Sequence, residues 1–233
     1  MKITTIGLDI AKSVFHLHAV NKQGRCVKKK QLKRQQLLPY FAQLEPCVIA
    51  MEACGGANHW AREIKELGHE PRLIAPQYVK PYVKGNKNDY NDAEAIAEAA
   101  QRPTMRFVPT KSVEQQDIQN LHCQRERIKK ARTALVNQIR GLLAEYGIVI
   151  NKGGAAVRKG LPDILEDAEN GLTLRSRELF ADLLEELRLL DERSQRSQTR
   201  IEASNRGNEI CQRLDEILGV GPITASAAYA AAG

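Results

Sequence analysis

The chain has 233 residues, 42 % of them hydrophobic, which is enough to bury a core and fits one large domain or, more comfortably, two. Lys and Arg number 35 against 28 Asp and Glu; this net charge of +7 favours a polyanionic partner. No apolar run is long enough to span a membrane, the five cysteines are scattered without a CxxC pair, and Asp9 and Lys12 interrupt the apolar start, which argues against a membrane span, a zinc cluster, a disulfide framework and a signal peptide.

In chain order, residues 3–10 form a β-rich run ending on an acid, and residues 14–20 (VFHLHAV) alternate apolar and His as a half-buried strand does. Asn21-Lys22-Gln23-Gly24 signals a turn, and residues 25–32 return as a third strand. Residues 35–44 read as helical, with Pro39 kinking or breaking them. Residues 46–51 are a short buried strand leading into Glu52, residues 57–67 an amphipathic helix closed by Gly68, and residues 71–75 a fifth strand. Three antiparallel strands followed by α-β-α-β predict a mixed sheet covered by helices. Residues 76–88 read as a loop, and residues 89–101 as an Ala-rich helix with acids in its first turn.

Pro103 and Pro109 mark a boundary, after which the pattern changes. Leu121, Ile128, Leu135 and Leu142 recur every seven residues within 112–147, which predicts a long helix seeking a coiled-coil partner. Residues 151–172, with four glycines and a proline, read as a connector. Residues 174–204 form a second long helix, so the pair makes an antiparallel hairpin that either dimerises or closes on itself. Residues 208–218 are a short helix running into Gly219-Val220-Gly221-Pro222 and a small-residue helix. That arrangement resembles a helix-hairpin-helix, whose bare turn amides at Gly219 and Gly221 approach a DNA phosphate. The apolar segment at the end suggests a truncated final domain.

Four carboxylates occupy places that chain geometry can unite. Asp9 ends the first strand, Glu52 follows the fourth, and Asp89 and Asp92 lie three apart at a helix start, within roughly 6 Å of each other. Taken singly, each has a plainer reading as a turn former, loop acid or helix cap. As a set, two of them end apolar runs, an expensive place for an unpartnered charge. Such an oxygen-only cluster suits Mg²⁺ or Mn²⁺ and the two-ion chemistry of phosphodiesters. Lys80, Lys84 and Lys87 lie just upstream of the helical pair, where they would meet a phosphate backbone. A second cluster on the hairpin includes Lys28, Lys29, Lys30, Lys33 and Arg34, each able to neutralise a phosphate. Arg125, Arg127 and Lys130 extend the basic character along the long helix, and aromatics are too few for base stacking to dominate.

The segments Ile6-Gly7-Leu8-Asp9-Ile10-Ala11-Lys12, Met51-Glu52-Ala53-Cys54-Gly55-Gly56 and Lys87-Asn88-Asp89-Tyr90-Asn91-Asp92-Ala93 together resemble the DEDD transposases of insertion sequences, relatives of the Piv-type invertases, some guided by a bridge RNA. The resemblance implies a RuvC-like, ribonuclease-H-type domain over residues 1–108, a coiled-coil hairpin over 109–205 and the start of a C-terminal transposase domain over 206–233. It makes Asp9, Glu52, Asp89 and Asp92 a metal-binding catalytic tetrad. It implies DNA and a structured guide RNA as partners, a homo-oligomer (dimer or tetramer) through the coiled coil, and a bacterial cytoplasm near the nucleoid. In the family a nucleophilic serine lies in a Ser-Gly-Gly-type segment not present here, and Ser226 does not sit in that motif. The competing expectations are a RuvC-like structure-specific nuclease, a non-catalytic RNA- or DNA-binding fragment, and half of an actin-like ATPase, whose Gly-rich phosphate loop Ile10-Ala11-Lys12-Ser13 does not supply.

Overall fold

The structure, a computed structural model, describes residues 2–84 and 89–232, and of Asp89 it describes the backbone alone. The chain forms two compact units, the first running to Val113 and the second from Glu114 to Ala231.

The first unit is built on a six-stranded sheet. In chain order its elements are β1 (Thr5–Asp9), β2 (Val14–Val20), β3 (Cys26–Lys33), α1 (Leu37–Phe41), β4 (Val48–Glu52), α2 (Ala57–Glu66), β5 (Glu70–Ile74), α3 (Pro76–Val79), α4 (Asp89–Ala100) and β6 (Phe107–Val108). The sheet order is β3-β2-β1-β4-β5-β6; β1 pairs antiparallel with β2 and parallel with β4, and β5 pairs parallel with β4 and antiparallel with β6. The predicted mixed α/β sheet of ribonuclease-H type is therefore the architecture of this unit. The β2–β3 turn closes because Asn21 Oδ1 accepts from the backbone N–H of Gln23 and of Arg25, both at 3.0 Å, while Gly24 takes φ +75°, which glycine adopts without steric cost. Pro39 is tolerated because it stands in the first turn of α1, where its missing N–H leaves no bond unmade.

Alternation along the strands sorts side chains onto two faces. Ile6, Leu8, Phe15, Leu17, Ile49 and Met51 point to one face, where they bury against α1 and α2 through Phe41, Trp60 and Ile64. The opposite parity (Gly7 and Asp9 on β1, His16 and His18 on β2, Ala50 and Glu52 on β4) faces α4. There Ala50 and Ile74 cluster with Ala95, Ile96 and Ala99. The expected solvent-facing side of β2 is thus covered: His16 and His18 are buried beneath α4. The 76–88 loop also differs from expectation, because Pro76 starts a short helix and a 3-10 turn follows over Lys80–Tyr82. The two-residue strand β6, which carries no alternation to read, completes the sheet.

In the second unit, α5 (Val113–Ala144) and α7 (Leu174–Arg206) are the long helices, joined through α6 (Gly154–Glu166) and followed by α8 (Glu209–Asp215) and α9 (Pro222–Ala232). Helix α6 corrects the connector reading of 151–172. Its Gly and Pro content argues against helix, but Val157 and Leu161 are buried against Ile139, Leu143 and Phe180, and that burial overrides propensity. The seven-residue seam of α5 is covered from within the chain: Ile128, Leu135, Val136, Ile139 and Leu143 share a core with Leu183, Leu184, Leu187 and Leu190 of α7. Within the chain the long helices therefore share a core, as the expected hairpin does. Thr173 caps α7, its side chain accepting from Ser176 N at 3.2 Å. Among the described residues no helix is long and apolar enough to cross a membrane.

Two positions hold these units to their shape in ways that can be tested. A Cβ on Gly7 would stand 2.1 Å from Ala93 O and 2.5 Å from Ala97 N, both backbone atoms of α4. Gly7→Ala is expected to lift α4 from the sheet at a cost of about 3 kcal/mol, read by urea unfolding, and an unchanged midpoint would refute that contact. In the arm, Asp191 accepts from Arg132 and, at 2.5 Å, from Arg158. Burial pushes its carboxyl up, but the two guanidinium groups outweigh that and hold it below the ordinary carboxylate value. The stabilisation is therefore present at neutral pH and is lost as pH falls through the lowered folded value. Asp191→Asn should lose about 1–2 kcal/mol at pH 7 and converge with the parent chain in acid. An equal deficit at both pH values would contradict the pairing.

Candidate functional site

Strand register and parity bring the first two acids together. Leu8 pairs with Met51 across the parallel β1–β4 ladder, so the next residues along, Asp9 and Glu52, are neighbours at the carboxyl ends of adjoining central strands. Both share the parity of the residues that face α4, and both are half-buried. Helix α4 runs back along β2. Its Tyr90 ring meets His16, the register partner of Asp9, edge-on at 4.7 Å between centroids; Glu94 lies 3.5 Å from Nδ1 of His18, the partner of Gly7; and Gln101 donates to Asn21 O at 3.4 Å. The amino end of α4 is therefore at the Asp9 end of the sheet. Asp92, half-buried, precedes Ala93, the residue whose carbonyl lies over Gly7. Asp89 opens the helix one residue before Tyr90, with its side chain outside the description.

The strand β4 passes into α2 through Glu52-Ala53-Cys54-Gly55-Gly56. Ala53 N donates to Ile74 O at 2.8 Å, Cys54 N to Glu52 O at 2.8 Å, and Gly56 takes φ +90°. This tight turn presents Cys54 beside the acids. Its thiol is pushed up, first by desolvation, then by the negative charges of Glu52 and Asp9. Both carboxylates thus act on the one sulfur atom, in keeping with the neighbouring strand ends that carry them. Among the described residues, no three His, Cys, Asp or Glu side chains are assembled as a ready ion cage. The donors at hand are hard carboxylate oxygens at sheet ends, suited to a small divalent cation that keeps its waters.

The predicted basic residues do not form a single patch. On β3, Lys29 turns toward α4 and pairs with Glu94 at 2.9 Å, whereas Lys28 and Lys30 lie over the ring of Tyr40 at 5.5 and 4.6 Å, and Arg34 stacks on Trp60 at 4.8 Å. Alternation divides the hairpin cluster between two faces; Lys28, Lys29, Lys33 and Arg34 are exposed and Lys30 is half-buried. Lys84 is engaged by Glu98 at 2.8 Å, Lys80 is exposed, and Lys87 lies outside the described residues. In the second unit Arg125 pairs with Glu126 at 3.0 Å, while Arg127 and Lys130 are exposed. Gly219, at φ +86°, and Gly221 form an open turn between α8 and α9, with nothing within 4 Å of a Cβ at either position. Ser226 is fully buried; its hydroxyl donates to Pro222 O at 2.7 Å, leaving Oγ to accept from Nε2–H of His122 at 3.0 Å. It is a fastener between α5 and α9, in keeping with its absence from the family's serine motif.

Sequence reasoning did not single out Cys54, Tyr90 or the His16–His18 pair. The i, i+2 spacing of the histidines was a usable signal, since it places both on one face. The convergence of charge on Cys54 has a direct check. Glu52→Gln and Asp9→Asn should each speed alkylation of Cys54 at pH 8 by about 2–5-fold, measured by mass spectrometry of labelled peptides. Rates equal to the parent chain would mean that the acids stand apart from the thiol.

The chain is similar to known proteins. The family profile of DEDD transposases of the IS110 type, described as a transposase, matches residues 6–148. A Pseudomonas aeruginosa protein named "Probable family 20 transposase" is 50 % identical over 234 residues, covering 100 % of this chain and 69 % of its own length. The Coxiella burnetii transposase for insertion sequence element IS1111A is 47 % identical, over 99 % of this chain and 64 % of its own length. The Yersinia enterocolitica transposase for insertion sequence element IS1328 is 38 % identical, over 96 % of this chain and 66 % of its own. The chain thus spans about two thirds of the length of these relatives, and it belongs to the DEDD transposase family of IS110-type insertion sequences.

Proposed function

We propose that this chain acts in transposition of an insertion sequence, with Asp9, Glu52, Asp89 and Asp92 holding Mg²⁺ or Mn²⁺ for cleavage and transfer of DNA phosphodiesters. The observation that supports this most is the neighbouring placement of Asp9 and Glu52 on the α4 face, at the end of the sheet where α4 begins. Bound among such carboxylates, a divalent ion supplies charge neutralisation to a phosphodiester oxygen. The chain's own part is to orient the acids, which backbone register at the strand ends supports for Asp9 and Glu52. Lys28, Lys30, Lys33 and Arg34 are assigned to the nucleic-acid backbone, and a structured guide RNA is proposed as the second polyanion beside DNA, in line with the net positive charge.

Titration of the full chain with Mn²⁺, followed by electron paramagnetic resonance, tests the ion site. Asp9→Asn and Glu52→Gln are each expected to weaken binding by at least about tenfold, whereas Asp117→Asn, an exposed acid on α5, should leave it unchanged. Mn²⁺ affinity indifferent to both site substitutions would overturn the reading.

A further inference from the structure

The seam of α7 follows a strict seven-residue pattern: Phe180, Leu187, Ser194 and Ile201 on one line, Leu183, Leu190 and Ser197 on the other. Serines therefore stand at two consecutive places where leucines would pack. At this level a narrow cleft of about 150 Å³ opens beside α5, lined by Gln124, Ile128, Arg193, Arg196, Ser197 and Arg200. No acid lines it, and among the described residues none of the three arginines is ion-paired. The neighbouring acid Asp191 is already held by Arg132 and Arg158 on the other flank of the helix.

A second observation points to a ligand. Ser197 is only 3 % exposed, and its buried Oγ has no hydrogen-bond partner. Hydroxyls on a helix ordinarily bond back to the carbonyl four residues earlier, and on this same helix Thr199 donates to Gln195 O and Ser204 to Arg200 O, each at 3.1 Å. Ser197 does not. An unsatisfied hydroxyl at the floor of a cleft walled by three unpaired guanidinium groups is a receptor for an oxyanion. Arg193 and Arg200 are seven residues apart, about 10 Å along the axis. That is longer than one phosphate and suits a run of phosphates on one strand.

We propose that this cleft grips the phosphodiester backbone of a nucleic-acid duplex, Ser197 Oγ and the Gln124 amide meeting the deepest phosphate while Arg193, Arg196 and Arg200 neutralise it and its neighbours. This deepens the nucleic-acid reading above and rests on it. The three arginines lie on α7 and differ from the basic positions Arg125, Arg127 and Lys130 on α5.

The test uses the full chain and fluorescence anisotropy with a labelled DNA duplex and, separately, a labelled RNA stem, across a salt series. Arg193→Gln, Arg196→Gln and Arg200→Gln together should weaken binding of at least one duplex by about tenfold or more and lower its salt slope by about 2–3. A charge-matched control, Arg175→Gln with Arg206→Gln and Arg213→Gln, should change binding by less than about 3-fold. Ser197→Ala should weaken binding by about 3-fold without lowering the melting temperature, which also carries the test if the triple substitution unfolds the arm. Equal losses in the triple and its control, or no loss in either triple, would overturn the cleft. So would millimolar inorganic phosphate binding there while duplex affinity survives the triple substitution. If the parent chain binds neither duplex, the nucleic-acid reading itself fails, which is a separate result.

Discussion

The bare backbone of Gly7 against the backbone of α4 is the contact on which the candidate centre depends. A helix can approach a strand closely only where neither carries bulk, and here Gly7 meets Ala93 and Ala97. That closeness fixes the height and direction of α4 over β1 and β2. With the helix lying this way, Tyr90 reaches His16 and Glu94 reaches His18, and the amino end of α4 falls beyond the carboxyl end of β1. Asp92, next to Ala93 on the helix, is thereby set toward the same end of the sheet as Asp9 and Glu52, which lie far from it in the chain.

The parity of the strands does the remaining work. Had Asp9 or Glu52 been shifted by one residue, its carboxylate would have pointed into the face filled by Leu8, Met51 and Trp60, where an unpartnered charge is prohibitively costly. On the α4 face the same charge stands at a rim, half-exposed, with a turn that leaves room for solvent. The apolar core and the polar site are thus two consequences of one alternation. The rise of the Cys54 thiol under the influence of both acids is the electrostatic counterpart of that geometry. Further along the face, Lys29 and Glu94 neutralise each other, and the buried His18 is kept toward its neutral form chiefly by desolvation, with Glu94 opposing.

What could be read from residues alone followed the strength of the local pattern. The strands β1 to β5 and helices α2, α4, α5 and α7 announce themselves through alternation or three-to-four-residue periodicity, and the acids could be placed because each ends such a run. Helix α6 was hidden because Gly154, Gly160 and Pro162 are local signals against helix, while the burial of Val157 and Leu161 that decides the matter is tertiary. The division of the hairpin lysines between two faces follows from alternation, yet which face was covered depended on α4, a helix some sixty residues later. The covering of the α5 seam was equally a tertiary question: a seven-residue repeat asks for an apolar partner, and only the fold shows that α7 covers it within the chain.

The two halves of that seam are chemically unlike, and the difference argues against a purely structural arm. Where Leu135, Ile139 and Leu143 face Phe180, Leu183 and Leu187, each side chain removed from water contributes about 1.5–3 kcal/mol. One or two turns further along, Arg132 stands on the α5 line of Ile139, and Ser194 and Ser197 follow on the α7 lines, so that apolar burial there falls away to Ile128, Leu190 and Ile201. A helical pair selected for stability alone would continue the leucines, since replacing polar seam groups with apolar ones of similar volume is neutral or stabilising. Polar seam positions are commonly used to fix register, and the Arg132–Asp191–Arg158 network serves that purpose on one flank. Register does not account for the other flank, because among the described residues Arg193, Arg196 and Arg200 have no ion-pair partner to align. An anion seated between these exposed guanidinium groups, as proposed above, would give the polar half of the seam a role that packing does not supply.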